Sequence, residues 1–366
     1  MIEIQPYRWN DWAAVAPSWH VLAARSGSSF FLTPAWVETW LEVFGEQLNP
    51  RLLTFVDAGE VVGACLLVRH LHWRKFIPMR RVHLNCAGEN YEDGTCIEYN
   101  RLLCLPGRDA DVSAALLAWI GRTRWDELAL DGMEAIPSLT DGCRVESKLR
   151  PSYYVDLTAL RSSGTSYDTA LSANTRQQIR RSIRMYEETT GPLVVEQAGD
   201  KGQALEFLEE LADLHQKSWS ERGRPGVFAS HRFRRFHSRL IERSFDAGCV
   251  HLLRVASGPQ TVGLLHCFFH QGRIYFYQSG FAYQSDNRSK PGLMTHYLAI
   301  KHYLADRLDV VEYDLLAGDA QYKRSLAREY RTLNWLVAQR PTLRVRAFWI
   351  LRERKRRVSA PPLAQA

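Results

Sequence analysis

The sequence predicts an α/β protein made of two copies of one domain. Apolar residues predict a strand over 274–283, a helix over 293–304 and a second strand over 310–315, which is the order of a βαβ unit. A hairpin pattern around Gly59 returns around Gly258, again ahead of a helix and a strand. The 366 residues are enough for two domains, each with a core of its own.

The first half of the chain begins with a strand, two helices and the hairpin. Residues 2–6 alternate as a short strand, and an amphipathic helix follows. Thr33 and Pro34 then supply an N-cap and a first helical residue for another helix, which we expect to end at Gly45. The stretch 51–70 contains the two strands of the hairpin.

The second half of the chain repeats these elements. Pro-Gly at 106–107 precedes an apolar helical segment, as Pro-Gly at 291–292 precedes the helix of the βαβ unit. The strand that ends at Asp131 resembles the strand that ends at Asp314. Order and spacing are kept while identity is low, so we interpret the pattern as a duplicated domain with a mixed sheet. A chance likeness is the alternative, because hairpin, helix and strand often follow one another.

A crossover strand over 151–157 divides the two copies. We therefore predict domains at 1–157 and 158–340, followed by a basic tail at 341–366. The segment 340–357 places arginines around an apolar and aromatic stripe, a pattern typical of a helix on an anionic membrane surface or along a phosphate-rich polymer. A solvated terminal helix with snorkelling arginines is the alternative.

Composition and charge exclude several classes of protein. The sequence holds no apolar run long enough to span a bilayer, and its N-terminus lacks the pattern of a secretory signal. We therefore expect a cytoplasmic protein, at most peripheral at the inner membrane face. Its seven cysteines form no C-x-x-C pair and its twelve histidines no H-E-x-x-H motif, so we expect reduced cysteines and no metal. The net charge of +7 is modest, and we expect no specific nucleic acid partner.

The turn before the helix of the βαβ unit has the features of a phosphate site. Pro291 and Gly292 open the helix, whose first backbone N–H groups and positive dipole end suit a phosphate or pyrophosphate. Arg288 and Lys290 add two cations just upstream. The alternative is an ordinary surface helix with solvated cations.

A helix between the two copies carries an arginine face. Arg176, Arg180 and Arg184 are four residues apart and therefore share one side. Like charges in this arrangement repel, which indicates an anionic partner. A solvated linker helix is the alternative.

Six phrases of the sequence carry a resemblance to a known family: TPAWVETWLEVFG, LSANTRQQIRRSIRMYEE, LHQKSWSERGRPGVF, IYFYQSGF, KPGLMTHYLAIKHY and DLLAGDAQYK. In this order they resemble the two-domain cellulose-biosynthesis-type or BioF-associated acetyltransferases of the GNAT superfamily, which are related to the Fem peptidyltransferases. The resemblance implies a tandem GNAT fold whose second copy binds acyl-CoA as co-substrate, with the pyrophosphate at the start of the helix after the central strand.

Carried over by position, the resemblance also implies which residues bind the cofactor. They are Gln278, Ser279, Gly280 and Phe281 on the strand and Arg288, Lys290, Gly292, Leu293 and Met294 at the turn. The turn departs from the usual Q/R-x-x-G-x-G/A pattern, since it keeps one arginine and one glycine. The acid that often follows the Gly-Phe of the strand is replaced by Ala282 and Tyr283.

Acyl transfer from a thioester to an amine needs a base, a stabilised carbonyl oxygen and a proton for the departing thiolate. For the base we predict Asp314 or His215, although a turn carboxylate and a core histidine are the plainer interpretations. The resemblance points to Tyr322 as the acid and to Lys323 for developing negative charge. We expect Trp219 at the acceptor, with Arg176 and Arg180 of the arginine face.

Three functions follow from these observations. The first is an acyl-CoA-dependent N-acyltransferase acting on an amine of a sugar, a cell-envelope precursor or a lipid base. The second takes aminoacyl groups from tRNA, as the Fem relatives do, although the segment 176–188 is too short for their helical arm. The third is a non-catalytic GNAT-fold subunit of an exopolysaccharide assembly, which the altered phosphate turn favours.

Overall fold

The computed structural model of the chain describes residues 2–88, 95–135, 142–284, 286 and 288–358. The first half contains β1 (Glu3–Arg8), α1 (Trp12–Arg25), α2 (Pro34–Leu48), β2 (Arg51–Asp57), β3 (Glu60–Arg74), β4 (Ile77–Leu84), β5 (Leu103–Cys104), α3 (Asp109–Gly121), β6 (Glu127–Met133) and β7 (Arg144–Asp156).

The second half contains two short helices, a long one and then the repeated elements. They are α4 (Leu157–Ser163), α5 (Tyr167–Ala170), α6 (Ala173–Thr189), β8 (Leu193–Gln197), α7 (Lys201–Glu221), α8 (His231–Ser244), β9 (Val250–Ser257), β10 (Gln260–His270), β11 (Arg273–Phe281), α9 (Pro291–Asp306), β12 (Glu312–Ala317), α10 (Gln321–Leu326), β13 (Glu329–Gln339) and α11 (Leu343–Val358). Three short 3-10 helices complete the described elements: Trp9–Asp11, Phe30–Leu32 and Val227–Ala229.

The thirteen strands of the described residues form one mixed sheet, and its order shows the duplication. The order is β1-β2-β3-β4-β6-β13-β7-β12-β11-β10-β9-β8, with β5 beside β3. Counted inward from its two edges, the sheet has the same arrangement of strands in each half. The parallel pair β4–β6 of the first half corresponds to the parallel pair β11–β12 of the second. The last strand of each copy is exchanged, because β7 lies beside β12 and β13 lies beside β6. The predicted boundaries at 157 and 340 fall directly after these exchanged strands.

Local signals explain where the helices begin. The Thr33 side chain accepts a hydrogen bond from the Trp36 amide at the start of α2, and Ser172 caps α6 in the same way. The prediction that α2 ends at Gly45 is wrong, since the helix continues to Leu48 and stops at a left-handed Asn49. Gly45 is required for packing instead, because a Cβ there would lie 2.5 Å from the Trp9 ring.

Aromatic packing joins the two copies. Trp36 on α2 lies edge-on to Phe236 on α8, with 4.8 Å between ring centroids. Phe30 stacks on Phe268 of β10 at 4.4 Å. These rings belong to one continuous buried cluster that extends from α1 to α8, and a second cluster surrounds α9 and β10–β12. The strands near α9 therefore pack against buried side chains on both faces of the sheet.

The predicted basic tail begins as a packed helix. In α11, Val345 and Phe348 are buried against Met79 of β4, and the Arg144 guanidinium lies over the Trp349 ring. Part of the apolar stripe of this segment is therefore used in packing, and only its outer face is exposed.

No helix among the described residues is long and apolar enough to cross a membrane. All seven cysteines lie in the described ranges and none of them forms a disulfide.

Candidate functional site

The candidate site is the gap between β11 and β12. These parallel strands pair only from Arg273 to Tyr275, opposite Glu312 to Asp314. Beyond this point β11 runs on to Phe281, with Tyr277 as an extra residue in its pairing with β10. The strand β12 bends away to pair with β7 through Ala317. A cavity of about 630 Å³ occupies the gap that results.

Buried polar groups hold β12 in its bent course. Leu316 has a positive φ of 59°, which is unfavourable for a leucine. Its amide donates to Asp314 at 2.7 Å, and the Lys323 ammonium donates to the carbonyls of Leu316 and Ala317 at 2.8 Å each. The Ala317 amide donates to Glu98 at 2.5 Å. The backbone N–H and C=O groups of Leu316 and Ala317 are thus satisfied, which stabilises the bend and keeps the gap open.

One end of the cavity is the start of α9. Gly292 and Leu293 line it, and Lys290 lies beside them with its backbone in the left-handed region. Within the described part of the chain, no side chain caps this helix and the amides of Gly292 and Leu293 have no hydrogen-bond acceptor. Open amides at a helix N-terminus, with a cation beside them, suit a phosphate group.

Arg288 has a different partner from the one predicted. It is exposed and forms an ion pair with Asp286 at 2.6 Å, and this contact lowers the pKa of the Asp286 carboxyl to about 2. The backbone carbonyl of Arg288 accepts from Ser182 of α6 at 2.6 Å. Arg288 therefore fixes the turn, and Lys290 is the cation that lines the cavity.

The helix α7 also lines the cavity. His215 and Trp219 lie one turn apart, with 5.8 Å between ring centroids, and both line the cavity. The His215 Nδ1 is buried without a hydrogen bond beneath Gly226, where a Cβ would lie 2.7 Å from it. Burial lowers the pKa of His215 below its usual value, and Arg222 contributes in the same direction. The imidazole is therefore neutral near pH 7 and able to accept a proton.

Tyr322 lines the same cavity from α10. Its ring stacks on His296 of α9, with 5.3 Å between centroids and 16° between planes. Burial raises the pKa of the Tyr322 hydroxyl, and the nearby Tyr283 and Glu98 raise it further. The phenol therefore keeps its proton at neutral pH and is available as an acid.

The cavity brings together ten of the predicted site residues. They are His215, Trp219, Gln278, Ser279, Phe281, Lys290, Gly292, Leu293, Tyr322 and Lys323. Lys323 lies in the cavity wall, and burial lowers its pKa. Its ammonium donates hydrogen bonds to two carbonyls of β12, so its structural role is to hold the bend of that strand.

Six predicted site residues do not line this cavity. They are Arg176, Arg180, Gly280, Arg288, Met294 and Asp314. The Arg176 guanidinium donates to the carbonyls of Asp168 and Leu171, which closes a local turn, and Arg180 is exposed on α6. The residue of α6 that borders the cavity is Gln178.

The prediction that Asp314 acts as the base is wrong, because its carboxylate lies in the interior. It is fully buried and accepts hydrogen bonds from Tyr99, Ser152 and the Leu316 amide. Burial raises the pKa of Asp314. The hydrogen bonds from Tyr99 and Ser152 join Asp314 on β12 to the first half of the chain. The buried Asp314 side chain has no access to a substrate.

Gly280 allows α7 to pack closely against β11. A Cβ at this position would lie 2.4 Å from the Leu211 carbonyl oxygen of α7, so only glycine lets the helix lie this close to β11. We expect Gly280→Ala to lower the free energy of unfolding by about 1–3 kcal/mol, measured by denaturant titration. Gly121→Ala is the matched control, since that helical position has no atom within 4 Å of the added Cβ. A stability of the Gly280 variant equal to that of the control would contradict this packing.

The first half of the chain contributes residues that sequence reasoning missed. Cys96 and Glu98 line the cavity, and the Tyr277 hydroxyl accepts a hydrogen bond from the Cys96 amide at 3.2 Å. Glu98 lies close enough to Lys323 to raise its pKa against the effect of burial. No spacing in the sequence indicates these contacts, because the partners are about two hundred residues apart.

A second polar cluster occupies the corresponding place in the first copy. There Asp131, at the end of β6, lies 2.9 Å from His83 Nδ1 and 3.5 Å from Cys86 Sγ. The three ligand atoms lie within 4.8 Å of one another. The Asp131 carboxylate is thus hydrogen-bonded to both His83 and Cys86.

Comparisons with known proteins agree with this geometry. Residues 173–324 match the family model described as an acetyltransferase (GNAT) domain. A search of curated proteins found no match. Among solved structures, FemX is 10% identical, with 95% of this chain and 99% of that chain covered and a TM-score of 0.54. L-PGS from Bacillus licheniformis is 10% identical, with 92% and 96% covered and a TM-score of 0.50. At this identity the likeness is one of fold.

Proposed function

We propose that this protein, a two-domain protein of the GNAT superfamily with a Fem-related fold, is an N-acyltransferase that takes its acyl group from acyl-CoA. One observation carries the proposal. The gap between β11 and β12 leads to the start of α9, where two open backbone amides and Lys290 face the same cavity.

The two ends of this cavity suit the two parts of the donor. The diphosphate of CoA would accept hydrogen bonds from the Gly292 and Leu293 amides, where the helix dipole favours negative charge. The pantetheine chain carries two amides, and β11 beyond Tyr275 has lost β12 as its partner strand. An extended chain of amides can pair with such a strand. In this proposal the thioester lies between the strands, with His215 and Tyr322 as the lining residues that act on it.

In the proposed reaction the acceptor amine attacks the thioester carbonyl carbon while His215 takes a proton from the amine. The carbonyl oxygen becomes negative and is stabilised by backbone N–H groups along the gap side of β11. The C–S bond then breaks, and Tyr322 gives its proton to the departing thiolate. Charge is conserved at each step, and bulk water restores the proton to Tyr322 from His215. No covalent enzyme intermediate is required.

The cavity lining includes an aromatic and cationic group of side chains, to which we assign the acceptor. Trp219 and Tyr283 line the cavity, and the Arg222 guanidinium lies 5.7 Å from the centroid of each ring. Rings with polar neighbours suit an amine carried by a sugar or a cell-envelope precursor, and the arginine suits an anionic group on the same molecule.

Aminoacyl transfer from tRNA is the second candidate. Its support is three exposed arginines of α6, Arg180, Arg181 and Arg184, and the likeness of fold to FemX. Nucleic acid binding of this kind weakens steeply as salt rises, which separates it from CoA binding.

A binding measurement tests the donor. We expect acyl-CoA, titrated by calorimetry, to bind the wild-type protein, and Gly292→Val to weaken binding tenfold or more, because the added side chain fills the cavity beside Phe281. Gly199→Val is the control, since that exposed glycine has only one atom within 4 Å of an added Cβ. Binding of charged tRNA without CoA would favour the second candidate. Binding of neither donor would support a non-catalytic subunit and remove the proposal.

A further inference from the structure

Exposed apolar side chains gather at the end of the sheet where the β3–β4 hairpin, the start of β7 and α11 meet. Seven of the fourteen large apolar side chains that are exposed among the described residues lie there. They are Leu71, Trp73 and Phe76 on the β3–β4 hairpin, Val145 on β7, and Leu343, Ile350 and Leu351 on α11. We call this set the hairpin–helix surface. Such a concentration marks an interaction surface.

The hairpin extends beyond the rest of the sheet. The pairing of β2 with β3 ends at Leu67, and that of β4 with β6 begins only at Arg81. The residues between them form a two-stranded arm that ends in a tight turn at Lys75 and Phe76. Phe76 is 89% exposed and Trp73 is 62% exposed, and neither ring belongs to a core cluster of the described residues. A protruding aromatic tip of this kind is costly to leave in water.

The helix α11 is apolar on two opposite sides. Its inner side, with Val345 and Phe348, packs on Met79 of the hairpin. Its outer side exposes Leu343, which is 84% exposed, and Ile350. The Arg74 guanidinium lies 5.1 Å from the centroid of the Phe348 ring, so the helix lies directly beside the hairpin tip.

The charge of this end is positive. Between Arg340 and Arg357 the sequence has eight basic residues and one acid. The acids of the neighbouring strands are paired, since Asp126 binds Arg80, Glu127 binds Arg81 and Glu146 binds Arg352. These pairs leave the basic residues of the helix in excess.

Two cations of this end remain available to an anionic partner. Lys75 at the hairpin tip and Arg346 on α11 are both exposed. Neither forms an ion pair with a residue in the described ranges. Each therefore carries a positive charge that no carboxylate of the described chain offsets.

We infer that the hairpin–helix surface binds the interface of an anionic lipid bilayer. Tryptophan and phenylalanine at a tip, beside a helix with exposed leucines and flanking arginines, match the headgroup region, where apolar groups enter and cations meet anionic headgroups. Apolar groups on a protruding arm and the outer side of a helix suit a soft surface better than a rigid concave partner. The inference does not depend on the donor or on catalysis.

Vesicle co-sedimentation tests the inference with the full chain. We expect binding to vesicles made of equal parts phosphatidylcholine and phosphatidylglycerol, weaker binding at high salt, and little binding to phosphatidylcholine alone. Failure to bind the anionic vesicles would overturn the inference, and equal binding to both compositions would overturn the role given to charge.

Two variants and a control test whether vesicle binding depends on the hairpin–helix surface or on exposed apolar residues in general. Trp73→Ser with Phe76→Ser, and separately Arg346→Glu, are expected to weaken vesicle binding about tenfold. Leu308→Ser is the control, because Leu308 is 77% exposed but lies after α9. Equal losses in all variants would overturn the inference. A second outcome would also overturn the inference. If analytical ultracentrifugation shows a dimer that the hairpin variant converts to a monomer, and if vesicle binding is unchanged in that variant, a second copy of the chain covers the surface.

Discussion

Replacing His215 with glutamine is expected to lower kcat about a hundredfold or more, because the proposed reaction then lacks its general base. The residue lies in the cavity wall on α7, and burial already keeps its imidazole neutral. Glutamine has a similar volume and cannot accept the proton of the amine. The measurement is the rate of thiol release from acyl-CoA with a saturating amine.

The pH dependence of the wild-type rate provides a second readout. His215 must be unprotonated to act, and its pKa is lowered below 6.5. The rate is therefore expected to stay constant down to pH 6.5 and to fall only when the pH drops through the lowered pKa, and this acid limb should be missing in His215→Gln. His231→Gln, an exposed histidine at the start of α8, is the control. A wild-type kcat in the His215 variant would show that the base is another residue.

Replacing Asp314 with alanine is expected to lower the free energy of unfolding by about 3–5 kcal/mol. The change leaves the Tyr99 hydroxyl, the Ser152 hydroxyl and the Leu316 amide without their buried acceptor. It also releases the positive φ of Leu316, so the gap for the donor is expected to close. Denaturant titration measures the stability. Asp213→Ala, at a largely exposed carboxylate of α7, should change it by less than about 0.5 kcal/mol.

Asp314→Asn separates the hydrogen bonds from the charge. The folded protein raises the pKa of Asp314 above 3.8, so the folded state binds more protons than the unfolded state in the window between those two values. The stability of the wild-type protein is therefore expected to fall as pH rises from 3.8 through the raised pKa, and the Asp314→Asn variant should lack this component. If Asp314→Asn were as unstable as Asp314→Ala, the hydrogen bonds would not be what Asp314 provides.

Local patterns predicted most of the second copy of the domain. The β9–β10 hairpin, α9 and the strands on either side of it, β11 and β12, follow from periodicity. Pro291 with Gly292 marked the start of α9 correctly. These signals act within a few residues, so the sequence displays them directly. The same patterns misplaced the end of α2, because Gly45 is there to accommodate the Trp9 ring and not to stop the helix.

The roles of charged residues were predicted less well. Asp314 and Arg176 have the right residue types for chemistry, but both side chains are used in structure: Asp314 is buried among donors and Arg176 binds carbonyls. Whether a charged group meets substrate or protein depends on what covers it, which a linear pattern does not contain.

The sequence by itself determined the order of elements, the duplication and the open helix start of the second copy, because each depends on residues close together along the chain. The tertiary structure alone decided that the final strands exchange, that β12 bends away from β11, and that Glu98 reaches the Ala317 amide from 219 residues away. Such contacts depend on how the sheet and its helices pack in three dimensions, where the free energy of burial selects partners regardless of their separation in sequence.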